Sequence, residues 1–425
     1  MHSLRNKAYN LLRKSESLLK TDMVYITKGG SWLVASHGVA ILAGLFISIA
    51  FANLFPKESF GTYKFIISMA GVIGAFSLTG MGTAVTQAVA RNFESLRQGF
   101  RINLKWSIGV LLGGLLLSAY YYLNDNMLLS ISFLLVGFIS PITLSANLYG
   151  AYLLGKKDFK RSSLYSMVHN TTPVVAIILT LLLTDSLVAI IVVYLLSGVA
   201  VSLSLYRQTL RAYPLQNKDD PKLTSYSGHL SAMSIIAIIV SNLDKILIFH
   251  YLGAAPLAIY AFAIAPVEQL QGGKKILSTL ILPKLSGRSF EELQKSAPRK
   301  AILLTVYALI LASLWIIFAP YFYKFFFPQY LDSVFYSQIY SFTLLAVSGT
   351  MFNETLVAHQ KIRELYFHRT IMPFIQLVLF FIMLPLFGLM GLIVSHSILK
   401  VLSALLGYYF VKHPLKERII DSALS

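Results

Sequence analysis

Apolar runs long enough to cross a bilayer recur twelve times along this chain, with only short connections between them. A spanning helix needs about 20 mostly apolar residues at 1.5 Å rise each. Runs of that length fall at about 30–54, 61–90, 103–123, 127–154, 163–184, 187–209, 229–252, 257–283, 300–320, 335–360, 366–386 and 388–411. They are continuous, whereas transmembrane β-strands would alternate over about ten residues. Backbone in hydrocarbon must satisfy its own hydrogen bonds, so the expected fold class is an all-α integral membrane protein with twelve transmembrane helices. Charged residues make up 13% of the 425, about half the usual share of a soluble domain, which excludes a soluble enzyme and a disordered chain. The first run has full span length and lacks an A-x-A-like exit, so it is expected to remain as a helix rather than act as a cleaved leader.

Orientation follows from the basic residues. With the N-terminus inside, 29 of the 36 Lys and Arg fall in inner connections and 3 in outer ones (Lys57, Lys64, Lys324). The other 4, Lys245, Lys274, Lys275 and Lys400, lie within spans. That asymmetry predicts both termini in the cytoplasm and explains most of the net charge of +18 without any nucleic-acid partner. Zero cysteines exclude a Cys-based metal or redox site, and the nine His are scattered, so no metal is expected. In residues 1–28, Leu4, Ala8, Leu11, Leu12, Leu18 and Leu19 recur near helical spacing among Arg and Lys. This suits an amphipathic helix on anionic membrane lipids, with a frayed basic tail as the plainer alternative.

The chain also matches itself. NLFPKESFGTYKFIIS (53–68) and HYLGAAPLAIYAFAIA (250–265) align at an offset of 197, placing Tyr63 on Tyr260 and Phe65 on Phe262. GKKDFKRSSLYSMVHNTTPVV (155–175) and HQKIRELYFHRTIMPFIQLV (359–378) each run from a basic inner loop into a span with an early proline. Two six-helix bundles related by an internal repeat are expected, at 29–210 and 229–411, joined by a cytoplasmic linker 211–228 and followed by a tail 412–425.

Several stretches carry a family resemblance. LFPKESFGTYKF resembles an L-x-x-x-x-F-G-x-Y signature, and SLTGMGTAVTQAVAR (77–91) a glycine-rich end of the second span. NLDKILIFHYLGAAPLAIYAFA (242–263) and LPLFGLMGLIVSHSILKVLSALLGYY (384–409) resemble the seventh-to-eighth and the last two spans of the same family. That family is the Wzx-type lipid-linked oligosaccharide flippases of the MOP superfamily, relatives of MurJ and the MATE exporters. One departure is Ala258, where Gly61 would repeat. The resemblance implies a V-shaped pair of bundles around a central cavity, with alternating access.

Ionisable groups at mid-bilayer are costly and usually face a cavity or a partner. Lys400 lies about 18 Å along its span, beyond what a lysine stem bridges by snorkelling. His396, Lys400, Ser403 and Gly407 share a face, which favours a cavity lining over a buried structural pair. In the eighth span Glu268, Gln271, Lys275 and Thr279 form a stripe, with Lys274 beside it and Pro266 expected to break the helix. Snorkelling of Lys274 and Lys275, or a structural Glu268–Lys275 pair, are the competing readings. Asp244 and Lys245 point about 100° apart, so one of them should leave the lipid face. Glu354 and His37 suit local hydrogen bonding as well as function; Lys64 could line the outer mouth, and Arg91 reads as an inner anchor. Asp219–Asp220 and Glu291–Glu292 read as solvated charge.

No P-loop, metal motif or large outer loop is present, which disfavours an ATP-driven step and a membrane glycan polymerase. The candidate substrate-binding cations are Lys400, Lys275, Lys274, Lys245 and Lys64. The candidate coupling or cavity-polar groups are Glu268, Asp244, Glu354, His396 and Gln271. Cations in a lumen suit a pyrophosphate, and the resemblance supplies the rest. It implies a flippase carrying an undecaprenyl-pyrophosphate-linked oligosaccharide repeat unit across the bacterial inner membrane, without a cofactor, driven by an H+ or Na+ gradient. The polymerase and glycosyltransferases of the same pathway would be its partners. The alternative is a MATE-like exporter of cationic drugs. It would want carboxylates in the first half, and the first span has none.

Overall fold

The computed structural model describes residues 23–213, 218–271, 285, 288–359 and 361–415. Every regular element among them is helical. The chain divides into two compact units, Met1–Leu257 and Ala258–Ser425.

The first unit contains α1 (Met23–Leu54), α2 (Lys57–Gly74), α3 (Met81–Ala90), α4 (Leu96–Trp106), α5 (Ile108–Leu123), α6 (Met127–Ala146), α7 (Leu148–Gly155), α8 (Phe159–Leu183), α9 (Leu187–Ala212) and α10 (Leu223–Tyr251). Pro56 ends the turn between α1 and α2, since it cannot continue a helix yet is preorganised to start one. Side-chain caps set the other entries. Asn126, Asp158 and Ser186 accept the N–H groups of Leu129, Arg161 and Ala189, satisfying donors a helix start leaves orphaned.

The long second run, expected at 61–90, is two helices separated by a break at 75–80. At that break the Gly80 N–H donates to Ser231 Oγ of α10 at 2.9 Å, and a Cβ on Gly80 would meet Leu230 Cβ at 2.5 Å. A side chain on Gly61 would run into the Ala254 carbonyl. The first approach seats α10 against the break between α2 and α3, and the second sets Ala254, where the next helix starts, against α2. The division into units therefore falls after the seventh span, at 257/258, rather than in the 211–228 segment. One core joins Met81, Ala84, Val85, Ala88 and Val89 of α3 to Leu148, Tyr149, Tyr152 and Leu153 of α7 and Tyr206 of α9.

The second unit contains most of α11 (Ala254–Gln271), then α12 (Phe290–Phe326), α13 (Ser333–Tyr340), a 3-10 turn (Ser341–Ala346), α14 (Val347–Ala358) and α15 (Ile362–Lys412). On α12, Ala297, Ala301, Ala308, Ala312 and Ala319 are all buried. Their spacing of four and seven puts small residues on one face, which lets backbones approach closely in a membrane. α15 is 51 residues long, about twice what a bilayer needs. Gly388, at φ 57° and ψ −139°, kinks it into the two spans expected at 366–386 and 388–411. Few residues other than glycine adopt that backbone readily.

Among the described residues, eight helices are long and apolar enough to cross a membrane. The kinked α15 holds two of the twelve expected spans. Three more escape an unbroken-helix criterion: 61–90 is interrupted, 335–360 contains the 3-10 turn, and the end of 257–283 lies outside the described residues. The chain is a multi-pass, all-helical membrane protein.

The expected repeat recurs as packing. Tyr63 and Phe65 are buried in the first unit, as Tyr260 and Phe262 are in the second. Phe65 packs edge-on to Phe133 with ring centroids 6.1 Å apart, and Phe262 packs on Tyr330 at 3.9 Å. Both partners keep the offset of 197.

Candidate functional site

The face of α15 beyond Gly388 gathers the second unit's polar groups. His396 Nε2 lies 2.9 Å from the Tyr260 hydroxyl of α11. Its ring also packs on Tyr340 and Phe380, at 5.7 and 5.2 Å. One turn on, half-buried Lys400 lies within electrostatic reach of Glu268 of α11. A further turn on, Ser403 Oγ lies 3.0 Å and its carbonyl 3.2 Å from His368 Nε2, on the first half of α15. Gly407 is buried where a Cβ would touch Phe352. Of the four residues expected to share a face, His396 and Ser403 bond to other segments of the second unit.

Around α11 the expectations need correction. The helix runs through Pro266 without breaking. Glu268 is exposed on its unit. Gln271 donates to Thr343 Oγ1 at 2.7 Å. Lys274, Lys275 and Thr279 lie outside the described residues, as do nearly all of segment 1–28 and most of the tail after Lys412. Glu354 is buried on α14 at 8% exposure.

In the first unit, Asp244 is 2% exposed, and the Lys245 ammonium bends back to both its carboxylate oxygens at 3.3 Å. The two neighbours therefore neutralise each other. Ser234 and Ser241 on α10 bond back to the carbonyls of Leu230 and Ile238. Lys64 sits over the Phe60 ring at 5.2 Å. His37 Nε2 on α1 and His169 Nδ1 on α8 are buried polar atoms with no hydrogen-bond partner among the described residues.

The loop end of this unit is more highly organised than its sequence suggests. Asp220, expected to be solvated, is 3% exposed. Its carboxylate accepts from Arg91 at 2.8 Å and from the Lys222 N–H, while Gln98 bonds both its N–H and its carbonyl. Glu94 pairs with Lys156 at 2.8 Å and accepts from the Tyr152 hydroxyl. Asp158 accepts from the Tyr213 hydroxyl at 2.6 Å. Burial alone would raise the Asp158 carboxyl. The Tyr213 and Arg161 donors and the charges of Arg161 and Lys160 outweigh it and hold the group below the ordinary carboxylate range. Burial and the same bond push the Tyr213 hydroxyl up to about 12.

Sequence reasoning missed Tyr260 as a partner, His368, Ser403's role and buried Glu364, whose carboxylate accepts the Leu415 N–H at 2.9 Å. Tyr260 had been noticed only as a repeat position. Nothing in a linear pattern pairs His368 with a serine 35 residues away.

Comparison with known proteins adds to this geometry. The family model described as "Polysaccharide biosynthesis protein" matches residues 26–287. A Shigella flexneri protein, named provisionally as an O-antigen transporter, is 21% identical over 413 residues, covering 90% of this chain and 96% of that one. The lipid II flippase MurJ in an inward closed conformation superposes with a TM-score of 0.66 at 14% identity, over 89% of this chain and 87% of that one. An inward-facing multidrug resistance MATE family transporter of the MOP superfamily gives 0.63 at 14% identity, over 88% and 94%. At those identities the solved structures speak to the fold.

Proposed function

Because this chain belongs to the polysaccharide biosynthesis protein family, we propose that it is a transporter of the flippase type. Its cargo is an undecaprenyl-pyrophosphate-linked oligosaccharide repeat unit, moved from the cytoplasmic to the outer leaflet of the bacterial inner membrane. The likeness to an O-antigen transporter and to a lipid II flippase supports a lipid-linked glycan as the substrate class. The distribution of Lys and Arg supports termini on the cytoplasmic side.

The observation that carries the reading is Lys400. It lies twelve residues from the Gly388 kink and twelve from the end of α15 at Lys412, about 18 Å from each by helical rise. A lysine stem cannot bring its ammonium to bulk water over that distance. A cation held there with one carboxylate in reach suits an anionic cargo that arrives and leaves. A pyrophosphate between a lipid tail and a sugar head is such a cargo: the tail stays in lipid while the head group crosses past the polar face. In this reading Lys245, Lys274, Lys275 and Lys64 are auxiliary cations. Glu268, with His396 and Tyr260 nearby, forms the group through which an H+ or Na+ gradient is coupled. Asp244, Glu354 and Gln271 are polar supports. The polymerase and glycosyltransferases of the pathway act before and after it.

The test separates charge from packing. Lys400→Arg should keep partial export of surface glycan, because both side chains pair with phosphate, though not equivalently. Lys400→Ala and Lys400→Glu should abolish export while the protein stays in the membrane at normal abundance. Full export by a well-expressed Lys400→Ala protein removes Lys400 from the substrate path. A fall in abundance instead assigns it to a structural pair. The cationic-drug alternative predicts export of a fluorescent cation and no change in surface glycan on deletion.

A further inference from the structure

α4 carries charge complementarity that the transport reading does not use. Arg97, Arg101 and Lys105 follow one another at four-residue spacing and are exposed, while Leu96, Gly99 and Asn103 bury the other side. Arg97 and Arg101 line an open cavity of about 610 Å³ with Phe100, Tyr206, Leu210 and Asp219. Its wall is firm, because the Phe100 ring packs on Tyr206 at 4.8 Å and Tyr206 is buried on α9. One turn further along α4, about 6 Å by helical rise, Lys105 stands at a second cavity of about 430 Å³. That groove is lined mainly by apolar groups, including Leu104, Ile108, Phe138 and Ile142. Trp106, 56% exposed, sits beside it, as aromatic side chains do at membrane interfaces.

Three other basic residues at this end are held in ion pairs. Arg91, Lys156 and Arg161 each pair with a carboxylate, whereas no ion pair is formed by Arg97, Arg101 or Lys105 among the described residues. Two arginines against one aspartate leave the first cavity with one net positive charge. That matches a monoanionic phosphodiester better than a pyrophosphate, which brings about two to three negative charges. The adjoining apolar groove calls for a chain on the same ligand. We propose that α4, α6 and α9 form a binding site for an anionic phospholipid. Its phosphodiester sits between Arg97 and Arg101 against Tyr206, and an acyl chain lies in the groove past Lys105. The site fastens the loop end of the first unit to the anionic leaflet, and it stands whether or not the proposed cargo is right.

The experiment is native mass spectrometry of the full chain in detergent, titrated with phosphatidylglycerol and, separately, phosphatidylcholine. The first should bind in preference, by about five-fold for each arginine engaged. Arg97→Gln and Arg101→Gln should each lose about five-fold of that preference, and Lys412→Gln, in the other unit, none. Glycerophosphate should not displace the lipid, because it cannot fill the groove. Equal binding of the two lipids by the unaltered chain overturns the proposal without any variant. So does an unchanged preference in both folded arginine variants. Displacement by glycerophosphate reassigns the cavity to a free phosphate, and displacement by undecaprenyl phosphate at lower concentration than phosphatidylglycerol reassigns it to a prenyl-linked ligand.

Discussion

The two units share an aromatic register but place their charges differently. At the offset of 197, Phe65 with Phe133 and Phe262 with Tyr330 occupy matching positions, so the packing of span on span has been kept. In the first unit the interacting charges gather mainly at the loop end, where Arg91–Asp220, Lys156–Glu94 and Arg161–Asp158 pair. Within a span, the Lys245 ammonium lies 3.3 Å from the Asp244 carboxylate. In the second unit Lys400 lies within electrostatic reach of Glu268, and His396 and Ser403 continue the polar face. Solvated rim charges hold loops at modest cost, whereas charges deep in a span are expensive and persist where they do chemistry. The first unit thus gathers its ion pairs mainly at a loop end, while the second carries a lysine in mid-span.

The sharpest break of this comparison is at the repeat position where Gly61 is matched by Ala258. Gly61 abuts the Ala254 carbonyl, while its counterpart Ala258 is accommodated with no exposure. Gly61→Ala forces backbone against backbone and should cost about 3 kcal/mol or more, seen as lost membrane abundance and a lower melting temperature in detergent. Ala258→Gly should cost only about 1 kcal/mol. Equal effects at the two positions would mean that the close approach to the Ala254 carbonyl does not set Gly61 apart from Ala258.

Next in size is the clasp on the linker. Asp220→Ala strands Arg91 and removes the acceptor of the Lys222 N–H. Charge-assisted bonds of this kind contribute about 1.5–3 kcal/mol, discounted here because Arg91 is half-exposed. Limited proteolysis should open the 211–228 segment in the variant and leave the second unit intact. Cleavage at an unchanged rate would show that the linker is held by apolar packing alone. Smaller again is Tyr260→Phe, which removes one hydrogen bond to His396, about 1 kcal/mol of stability. If His396 needs that partner for transport, export should fall further than the small loss of stability explains.

Long-range apolar pattern was legible in the sequence, and contact across the chain was not. The spans, their separation near 386–388 and the matching of the repeat aromatics follow from hydropathy and self-similarity, which are read along the chain. The break at 75–80 is made by Gly80 meeting Ser231, 151 residues away. Asp220 looked solvated because its partner Arg91 lies 129 residues off. Pro266 was expected to end α11, yet the helix continues, as helices flanked by neighbours in a membrane can do. Of the site, the face His396–Lys400–Ser403 was readable from spacing. Its partners Tyr260, Glu268 and His368 needed three dimensions.

The smallest expected effect tests the rim charges of the first unit through pH. Asp158 is held below its ordinary value in the folded chain, so it stabilises that state fully above its unfolded pKa of about 3.9 and loses the contribution as pH falls through the folded value. Asp158→Asn keeps the cap on α8, because asparagine caps as well as aspartate, and removes the charge together with the second acceptor oxygen, the one bonded by Tyr213. At pH 7 the variant should melt lower, by no more than ~1 kcal/mol, since Asp158 and Arg161 are both partly exposed. The gap should narrow below about pH 4 and close once the wild-type carboxyl is protonated. The Tyr213 hydroxyl, at about 12, remains a donor throughout, so the acid change belongs to the carboxyl. A gap that widens in acid would reverse the sign and assign Asp158 to a strained, desolvated site instead.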